Sequence, residues 1–497
     1  MKLDNASLAD LVAVPKPEYD RAQLGCGIVH FGVGGFHRAH QAMYVDALLT
    51  SDPASRDWAI CGVGVLPGDV HMRDALVPQD GLYTLTLKHP DGTMQTSVVG
   101  SIAEYLFAPD DPAAVIDKLA DPATRIVSLT ITEGGYNFSA ATGEFDLTNP
   151  AIQADLQPGA VPSTTFGLVV EALGRRRDAG HPSFTVMSCD NIEGNGDIAR
   201  KTFIAFACSK DPGLAEWISD NTAFPNSMVD RITPATPPEL GDEVQARTGI
   251  TDRWPVVAEP FTQWVLEDSF SAGRPRLESV GVQVVADVGP YELMKLRLLN
   301  AGHQTLCYFG HLMGYRFVHD AAQDPLIRRL LLGYMNNEAR HTLLPLPGVD
   351  VDAYIDTLIE RFSNPSIADT IARLCQYSSD RIPKWLLPVI REQLEAGGDV
   401  VLAAAVVASW TRYAEGVDEA GEPIDVVDPL ADSLVPLAVR SRNEPLAFVQ
   451  NRELFGDLAD ENRFVRPYLW TLESLRRNGA RETLKQLLVD NSGARGA

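Results

Sequence analysis

The amino-acid sequence predicts an α/β protein with two domains, the first built on a parallel sheet and the second mainly α-helical. Two observations predict this fold class. Up to about residue 285, short β-rich apolar segments alternate with helical segments, the pattern of a parallel sheet covered by helices on both faces. From about residue 290 onward the β signal ends and the apolar residues follow helical spacing. The boundary is therefore placed near Asp287, which gives domains of residues 1–286 and 287–497.

The individual elements follow from the length of each apolar run and the spacing within it. Strands are predicted at Cys26–Val33, Trp58–Val65, Arg125–Thr132, Ser183–Cys189, Pro255–Ala258 and Val280–Val285. Helices between them are predicted at Ala39–Leu49, Asp111–Leu119, Phe166–Asp178 and Asp197–Ala207. The second domain is expected to contain helices at Tyr291–His311, Pro325–His341, Ala353–Phe362, Trp385–Glu395 and Val400–Tyr413.

Composition and charge limit the kind of protein. Of the 497 residues, 45% are hydrophobic and 22% are charged, which is typical of a globular chain long enough for two or three domains. The 66 acidic and 42 basic side chains give a net charge of −24, and such a surface repels nucleic-acid phosphates and anionic lipids. The N-terminus lacks a secretory pattern, and the six cysteines lie far apart. We expect a cytoplasmic monomer or small homo-oligomer that binds a small molecule and neither nucleic acid nor membrane.

The first predicted strand runs directly into a glycine cluster formed by Gly32, Gly34 and Gly35, and a helix follows. Glycines at such a position let the backbone turn tightly and approach a pyrophosphate, which then lies at the helix N-terminus. The strict G-x-G-x-x-G pattern is not met, because His37 occupies its third position. The cluster lies in the first βα unit of an α/β domain, so we predict a Rossmann-like dinucleotide-binding domain. The alternative is an ordinary strand-to-helix turn.

A carboxylate follows the second predicted strand. Asp69 ends the sequence Leu-Pro-Gly-Asp, where an acidic side chain can bind both ribose hydroxyls of NAD and would repel the 2′-phosphate of NADP. The interval from Gly32 exceeds the usual ~20 residues, but a long first helix and the loop after it account for the difference. The sequence therefore predicts NAD as the cofactor; the alternative is that Asp69 is a surface turn residue.

A third candidate site opens the helical domain. At about 100° per residue, Glu292, Lys295, Asn300 and His303 fall within an arc of about 140° on one helix face. A lysine needs its pKa, about 10.4 in a free side chain, lowered by burial before it can act as a base near neutral pH. The alternative is an exposed helix with a Glu–Lys pair.

Tyr291 and Lys295 also match the Y-x-x-x-K pair of short-chain dehydrogenases. In that family the pair belongs to the nucleotide domain, whereas here it begins the helical domain, nearly 260 residues after the glycines. We therefore discount this match.

Five blocks of the chain, two of which contain sites described above, have specific patterns such as Val229-Asp-Arg-Ile-Thr-Pro and the spacing K-x-x-x-x-N-x-x-H. The blocks are Phe31–His40, Thr130–Asn137, Ser188–Asn195, Phe224–Pro234 and Lys295–His303. In this order, and over nearly the whole chain, the sequence resembles the polyol-specific long-chain dehydrogenases, also called the mannitol dehydrogenase family.

The resemblance implies a zinc-independent, NAD-dependent enzyme that interconverts a polyol and its ketose, with D-mannitol and D-fructose as the first expectation. It implies that Lys295 is the general base, that Asn191 and Asn300 stabilise the developing oxyanion, and that His303 orients the reacting oxygen. It also implies substrate-side roles for Arg373, Asp230, Glu292 and Glu133. The cofactor residues that it implies are Gly32, Gly34, Gly35, Phe36, Arg38 and Asp69.

Several alternatives stay open. Within the family, the substrate could be D-arabinitol or D-sorbitol, or the chain could be a fructuronate reductase. Tyr377-Ser378-Ser379 stands where mannitol enzymes tend to have Asp-Gly-Ser, which bears on polyol preference. A catalytically silent NAD-binding regulator is the alternative from another class, and the presence of all four predicted catalytic side chains favours an enzyme. No metal is expected, because the histidines and cysteines form no ligand cluster in the sequence.

Overall fold

The computed structural model describes residues 1–138 and 143–493, without the side chains of residues 490–493. The chain forms two compact units, one comprising Met1–His89 and Thr93–Gly289 and the other comprising Pro90–Gly92 and the chain from Pro290 onward. Within the described ranges, no helix combines the length and the apolar character needed to cross a membrane. The predicted fold class, a Rossmann-like α/β domain followed by a mainly helical domain, is confirmed.

In the described part of the first unit, eleven strands form three sheets. The strands are β1 Ile28–Phe31, β2 Ile60–Gly64, β3 Tyr83–Lys88, β4 Met94–Val99, β5 Ile102–Phe107, β6 Ile126–Leu129, β7 Thr185–Ser188, β8 Ser227–Asp230, β9 Val256–Ala258, β10 Gln263–Glu267 and β11 Gln283–Val285. The main sheet is parallel, in the order β5-β2-β1-β6-β7. All residues of β1, β2, β6 and β7 are buried, as expected when helices cover both faces.

The order of the main sheet defines where a ligand can bind. The chain proceeds from β1 outward through β2 to β5, and then returns to the other side of β1 with β6 and β7. The strand order therefore reverses between β1 and β6, and ligands of open α/β sheets bind at the carboxyl ends of the strands beside such a switch point. Gly32 follows β1 at this end of the sheet, and Thr130 follows β6.

Two of the predicted strands lie outside the main sheet. The strand at Val256–Ala258 pairs with β3 in the sheet β4-β3-β9, and the strand at Gln283–Val285 pairs with β10 in the sheet β11-β10-β8. Both small sheets mix parallel and antiparallel pairs. Strands of three residues have too few positions to show in the sequence which partner they pair with.

Ten helices lie among the described residues of the first unit, several of them begun by a side-chain cap such as Asp111, Thr164 or Asp211. They are α1 Gly35–Ala39, α2 Gln41–Ser51, α3 Val70–Leu76, α4 Pro112–Ala120, α5 Thr132–Gly135, α6 Pro150–Asp155, α7 Thr165–Asp178, α8 Asn195–Lys210, α9 Pro212–Asn221 and α10 Leu240–Thr248. The predicted first helix is interrupted at His40, where φ is −121° and ψ is −90°.

The chain from Gly289 onward is helical, and the described part of the second unit contains no strand beyond isolated bridges. Its helices are α11 Gly289–Met294, a π-helix at Lys295–Asn300, α12 Ala301–Leu312, α13 Val318–Gln323, α14 Pro325–Asn337, α15 Val351–Phe362, α16 Ile371–Leu374, α17 Ser378–Trp385, α18 Leu387–Ala396, α19 Val401–Tyr413, α20 Ala431–Arg440, α21 Arg452–Phe455 and α22 Asn462–Gly493, which is broken at Gly479. The apolar helix α19 is the centre of this unit and packs against α12, α14 and α22. Its first turn is capped by the buried Glu338 carboxylate, which accepts hydrogen bonds from the N–H groups of Leu402 and Ala403 at 2.7 Å.

Candidate active site

The first glycine of the turn after β1 is required by the backbone conformation, and the second glycine leaves open space beside the backbone. Gly32 has φ +91°, and a Cβ atom there would lie 2.0 Å from the carbonyl oxygen of Thr130, so only glycine fits. At Gly34, φ is −100° and a Cβ atom would have the Gly32 carbonyl oxygen as its only neighbour within 4 Å, at 3.8 Å. The space in front of Gly34 is therefore open, as the close approach of a pyrophosphate requires.

Side chains of α1 support the turn from inside the protein. Arg38 is fully buried, and its guanidinium donates to the carbonyl oxygens of Gly34 and Trp254 and lies 5.2 Å from the ring centroid of Tyr83. Phe36 stacks on His40 with 5.0 Å between ring centroids. The Nη2 atom of Arg38 has no hydrogen-bond partner in the described part of the chain, and direct contact of Arg38 with a cofactor stays a prediction.

A pair of histidines lies beneath the same turn. The rings of His30 and His37 stack with centroids 3.4 Å apart, and His30 Nδ1 lies 2.8 Å from Ser128 Oγ. Burial lowers the pKa of His30 to about 3 and also lowers that of His37, so both rings are neutral at physiological pH. The turn therefore rests on an uncharged pair. Only His37 is noticeable in the sequence, because it replaces the third glycine of the fingerprint.

Asp69 holds the turn after β2 and keeps one carboxylate oxygen available. Its Oδ2 accepts hydrogen bonds from the N–H groups of Val65 at 2.8 Å and Leu66 at 2.9 Å. Oδ1 has no hydrogen-bond partner in the described part of the chain, and the residue is half-buried. The nearest basic residue in the sequence, Arg73, is paired with the carboxylates of Asp74 and Asp110. Asp69 can therefore offer an acceptor to a ribose, which stays a prediction.

Asp190 ties together the segments that follow β6 and β7. Its carboxylate accepts hydrogen bonds from the N–H groups of Ile131 at 3.1 Å and Thr132 at 2.8 Å, and from the Tyr136 hydroxyl at 2.8 Å. Thr132 has φ +65°, a conformation that a β-branched residue rarely adopts. Strain of this kind persists only where the surroundings over-determine it, and it is concentrated at functional sites.

Thr132, the strained residue, and Asp190, which binds its N–H group, are each followed in the chain by a predicted site residue. Glu133 follows Thr132, and Asn191 follows Asp190. Asp190 was not predicted from the sequence, because its role depends on the tertiary contact between the two segments. Asp230, another predicted residue, is buried at the end of β8.

In the second unit, a π-helix reshapes the predicted polar face. The N–H of Ala301 donates to the carbonyl oxygen of Leu296, five residues back, and residues Lys295–Asn300 are π-helical. In a regular α-helix, five residues at about 100° each would place Lys295 and Asn300 about 140° apart. Because the π-turn advances each residue by a smaller angle, it brings Asn300 nearly beneath Lys295. π-bulges are frequent at functional sites.

The side chains on this helix are buried, and one of them has an unsatisfied donor. Lys295 and Asn300 are 8% and 5% exposed, and Glu292 is buried one turn earlier. The amide nitrogen Nδ2 of Asn300 has no hydrogen-bond partner in the described part of the chain. Buried polar atoms are nearly always paired, so this donor is available to an oxygen atom of a ligand or a water. The ring of His303 lies 4.5 Å from that of Phe362.

The structure gives the tyrosine of the Y-x-x-x-K match, Tyr291, a contact that does not involve Lys295. The hydroxyl of Tyr291 is engaged with protein backbone, donating to the carbonyl oxygen of Pro347 at 3.0 Å.

Arg373 is held by a carboxylate that the sequence analysis missed. Its Nε donates to Asp369 Oδ1 at 2.6 Å and its Nη2 donates to Asp369 Oδ2, which makes a bidentate pair. Burial alone would raise the pKa of Asp369, but the Arg373 guanidinium and the nearby His303 hold that pKa below its usual value. Asp369 therefore links a predicted substrate-binding residue, Arg373, with a predicted catalytic residue, His303. The i,i+4 spacing of Asp369 and Arg373 is the only signal in the sequence.

The structure thus groups the predicted residues by unit. Gly32, Gly34 and Asp69 lie at the carboxyl ends of β1 and β2, while Lys295, Asn300 and His303 lie on one continuous helical segment. Across residues 1–138 and 143–493, no three His, Cys, Asp or Glu side chains are close enough together to hold a metal ion.

Comparisons with known proteins give matches over both domains of the chain. The model of the mannitol dehydrogenase Rossmann domain matches residues 26–279, and that of the mannitol dehydrogenase C-terminal domain matches residues 287–476. The chain is 47% identical to mannitol 2-dehydrogenase of Phaeosphaeria nodorum over 98% of this chain and 85% of that protein. It is 45% identical to mannitol 2-dehydrogenase of Aspergillus fumigatus over 98% of this chain and 99% of that protein.

Two solved structures are similar over almost their whole length. Mannitol 2-dehydrogenase of Pseudomonas fluorescens, in a ternary complex with NAD and D-mannitol, is 45% identical with a TM-score of 0.85, over 98% of this chain and 99% of that one. A D-sorbitol dehydrogenase in substrate-free form is 41% identical with a TM-score of 0.90, over 97% of this chain and 100% of that one. Both domain models and the full-length relatives lead to the same conclusion: the chain belongs to the mannitol dehydrogenase family.

Proposed function

We propose that the chain is an NAD-dependent polyol dehydrogenase that interconverts D-mannitol and D-fructose. The relatives named mannitol 2-dehydrogenase, and the neighbour that binds NAD and D-mannitol, support the reaction class and the substrate. Within the structure, one observation supports this proposal most directly: the buried Lys295 and the unpaired amide donor of Asn300 lie on one π-turn. Alcohol oxidation requires a proton acceptor and a donor to the oxygen that becomes negative, and this turn has one of each.

The first unit has the features that NAD binding requires. The open space in front of Gly34 would admit the pyrophosphate, and the Oδ1 atom of Asp69 would accept hydrogen bonds from the adenosine ribose. The charge of Asp69 opposes a 2′-phosphate, and the neighbouring Arg73 is already paired, which favours NAD over NADP.

The second unit supplies the proton chemistry. In its neutral form, the amine of Lys295 would take the proton of the substrate hydroxyl, while Asn300 Nδ2 would donate to the oxygen as its negative charge develops. His303 donates to the same oxygen and fixes its position. NAD, when bound, would supply the acceptor for the hydride of the carbinol carbon, so the alcohol would lose two electrons and two hydrogens, one as this hydride and one as the proton taken by Lys295, and would become the ketone. The roles of Asn191, Glu133, Glu292 and Asp230 stay predictions.

Arg373 would bind a more distant hydroxyl of the substrate. Its guanidinium is fixed by the bidentate contact with Asp369, which leaves Nη1 to donate to a polyol oxygen. A buried sugar hydroxyl must be paired, so a donor held in place adds binding without a large loss of side-chain entropy.

D-sorbitol is the second candidate substrate, because the solved neighbour with the higher TM-score is a D-sorbitol dehydrogenase. D-mannitol and D-sorbitol differ only in configuration at C2, and oxidation of either at C2 yields D-fructose. Incubating the protein with D-fructose and NADH and separating the products distinguishes them. Formation of D-mannitol supports the proposal, whereas formation of D-sorbitol alone would replace it with the second candidate.

The general base is tested by Lys295→Ala, with Lys485→Ala as the control, since Lys485 is an exposed lysine of α22 paired with Glu482. We expect Lys295→Ala to lower D-mannitol turnover by ~10²–10⁴-fold, the range for loss of a general base. Binding of NADH should be unchanged, and a small primary amine should restore part of the rate. Near-normal turnover in this variant, measured by NADH absorbance, would contradict the assignment.

We also propose a cytoplasmic location. All six cysteines are free thiols, and five of them are buried. Such a set fits a reducing compartment, where disulfides do not form. Fractionation of cells expressing the protein, followed by immunodetection, tests this location.

A further inference from the structure

The π-turn at Lys295–Asn300 changes the hydrogen bonding of one backbone carbonyl group. In a regular α-helix the N–H of Ala301 would donate to the carbonyl oxygen of Arg297, four residues back. Here that N–H donates instead to the carbonyl oxygens of Leu296 and Leu298, on either side of Arg297. The carbonyl oxygen of Arg297 therefore loses its α-helical donor. A donor from another part of the protein at this position favours the π-turn over a regular helix, because buried carbonyl groups need partners.

Tyr334 supplies such a donor. Its hydroxyl donates to the carbonyl oxygen of Arg297 at 3.1 Å. The side chain is fully buried on α14, and burial raises the pKa of Tyr334 well above the usual value for a tyrosine, so the phenol keeps its proton. Helix α14 packs closely against the residues that follow the turn, since a Cβ atom at Gly302 would lie 2.7 Å from Met335 Cε.

The side chain of Arg297 is bound as well, by a different helix. Its Nη1 and Nη2 atoms donate to the two carboxylate oxygens of Glu392 on α18, at 2.8 Å and 2.6 Å, which makes a bidentate pair. Nη1 also donates to the carbonyl oxygen of Thr342. The residue in the middle of the π-turn is therefore bound through its carbonyl group by α14 and through its side chain by α18.

We propose that Tyr334 is a positioning residue for the reaction: it binds the carbonyl group that the π-turn leaves without its α-helical donor, and thereby keeps the Asn300 amide aligned with Lys295. The pair of Arg297 and Glu392 supports the same turn from α18. This inference rests on the proposed function, in which Lys295 and Asn300 act on one substrate oxygen. In a regular helix these two side chains would lie about 140° apart and could not meet at one atom.

The test is Tyr334→Phe, with Tyr468→Phe as the matched control. Tyr468 is also fully buried in the second unit, and its hydroxyl lies 3.1 Å from Thr411 Oγ1 and 3.4 Å from the carbonyl oxygen of Pro445, neither of which belongs to the π-turn. Each variant removes one buried hydroxyl group, so both should lower the Tm by a similar amount.

Only Tyr334→Phe should lower the kcat for D-mannitol. We expect a fall of about 10- to 100-fold, which is part of the ~10²–10³-fold effect of losing an oxyanion donor. The KM for D-mannitol and the Kd for NADH should stay within about twofold of the wild type, because the lost interaction belongs to the transition state. A kcat in Tyr334→Phe within about twofold of the wild type would overturn the inference.

Adding Asn300→Ala to each protein measures whether Tyr334 acts through Asn300. In the wild type and in Tyr468→Phe, Asn300→Ala should lower kcat by ~10²–10³-fold. In Tyr334→Phe the further fall should be at least about tenfold smaller, because the amide is already misaligned there. A purely structural role of Tyr334 would give the same fall in all three proteins, and that result would also overturn the inference.

Glu392→Gln keeps the test decisive if Tyr334→Phe does not fold. The Glu392 side chain is 44% exposed, so this variant should fold, and it should lower kcat with the same dependence on Asn300. An unchanged kcat in Glu392→Gln would then overturn the inference. If Asn300→Ala leaves the kcat of the wild type unchanged, the proposed role of Asn300 fails, and this inference fails with it.

Discussion

Gly34→Ala tests whether the glycine turn binds the cofactor, because the structure predicts that this change affects binding without affecting the fold. A methyl group at Gly34 would have one neighbour within 4 Å, a carbonyl oxygen at 3.8 Å, and the backbone angles of −100° and −172° suit alanine. The methyl group would instead fill the space that a pyrophosphate needs. At Gly32 the outcome should be the reverse, because a Cβ atom there would lie 2.0 Å from a backbone oxygen.

The expected magnitudes follow from this geometry. Replacing glycine by alanine at a compatible position stabilises a protein by about 0.4–1 kcal/mol through the unfolded chain, so the Tm of Gly34→Ala should not fall. Displacing the pyrophosphate costs at least one hydrogen bond to a charged group, worth about 1.5–3 kcal/mol. At about 1.4 kcal/mol per factor of ten, the Kd for NADH should rise about 10- to 150-fold. Gly32→Ala combines a left-handed φ with a backbone overlap and should fail to fold stably.

The assay is calorimetric titration of NADH together with a thermal melt of each variant. Gly241→Ala is the matched control, because a Cβ atom at Gly241 also has one carbonyl oxygen as its neighbour, at 3.8 Å, and Gly241 lies on α10, outside the glycine turn. This control should keep the Kd of the wild type, and its Tm should likewise not fall. An unchanged Kd in Gly34→Ala would show that no pyrophosphate approaches this turn.

Three more predictions concern single carboxylates and the strained segment. Asp69→Asn keeps the acceptor for the turn and removes the charge. It should lower the ratio of kcat/KM for NAD to kcat/KM for NADP at least about tenfold. An unchanged ratio would show that Asp69 does not face the ribose. Thr132→Gly should raise the Tm, because it relieves the backbone strain. It should also lower kcat, because the segment around Thr132 is then no longer fixed. If kcat is unaffected, the strain has no catalytic role. Asp46 accepts hydrogen bonds from Tyr19 and Gly100, and burial raises its pKa to about 6. The Asp46 carboxyl group therefore makes its full contribution to the free energy of unfolding below about pH 4. As the pH rises through 6 this contribution is lost, and the free energy of unfolding falls by up to about 3 kcal/mol. Asp46→Asn should thus match the wild type near pH 4 and be more stable above pH 6 in denaturant titrations, and parallel pH profiles would contradict this.

The parts of the fold that local sequence determines were predictable. The strand before Gly32 and the buried helix α19 stand out, because apolar spacing and glycine position are local properties. The hairpin β3–β4 was not predicted, because its strands interleave threonine and other polar residues with apolar ones and so lack a clear apolar run. The second partner of β3 is β9, which lies far along the chain. A pairing of that kind depends on a tertiary contact that no window of sequence contains.

For the candidate site, the residue types were visible in the sequence but their geometry was not. Lys295 and Asn300 stand out as polar residues in an apolar helix, whereas the π-turn between them changes one helical turn and leaves the average periodicity almost intact. Positive φ at Thr132 and Tyr377 runs against the preference of both residue types. The partners Asp190 and Asp369 act through folded contacts, so a single sequence gives little sign of them.

The π-turn also has a consequence for how this helix tolerates insertions and deletions. A π-turn is equivalent to one residue added to an α-helix, so the residues before Lys295 and those after Asn300 follow two separate helical phases. Deleting one residue between them would remove the π-turn and leave Asn300 four residues after Lys295, about 40° away on a regular α-helix, so the polar groups and the apolar face of α12 would keep their alignment. Straightening the turn without a deletion would instead place Asn300 about 140° from Lys295. The helix should therefore tolerate loss of one residue here better than loss of the π-turn alone.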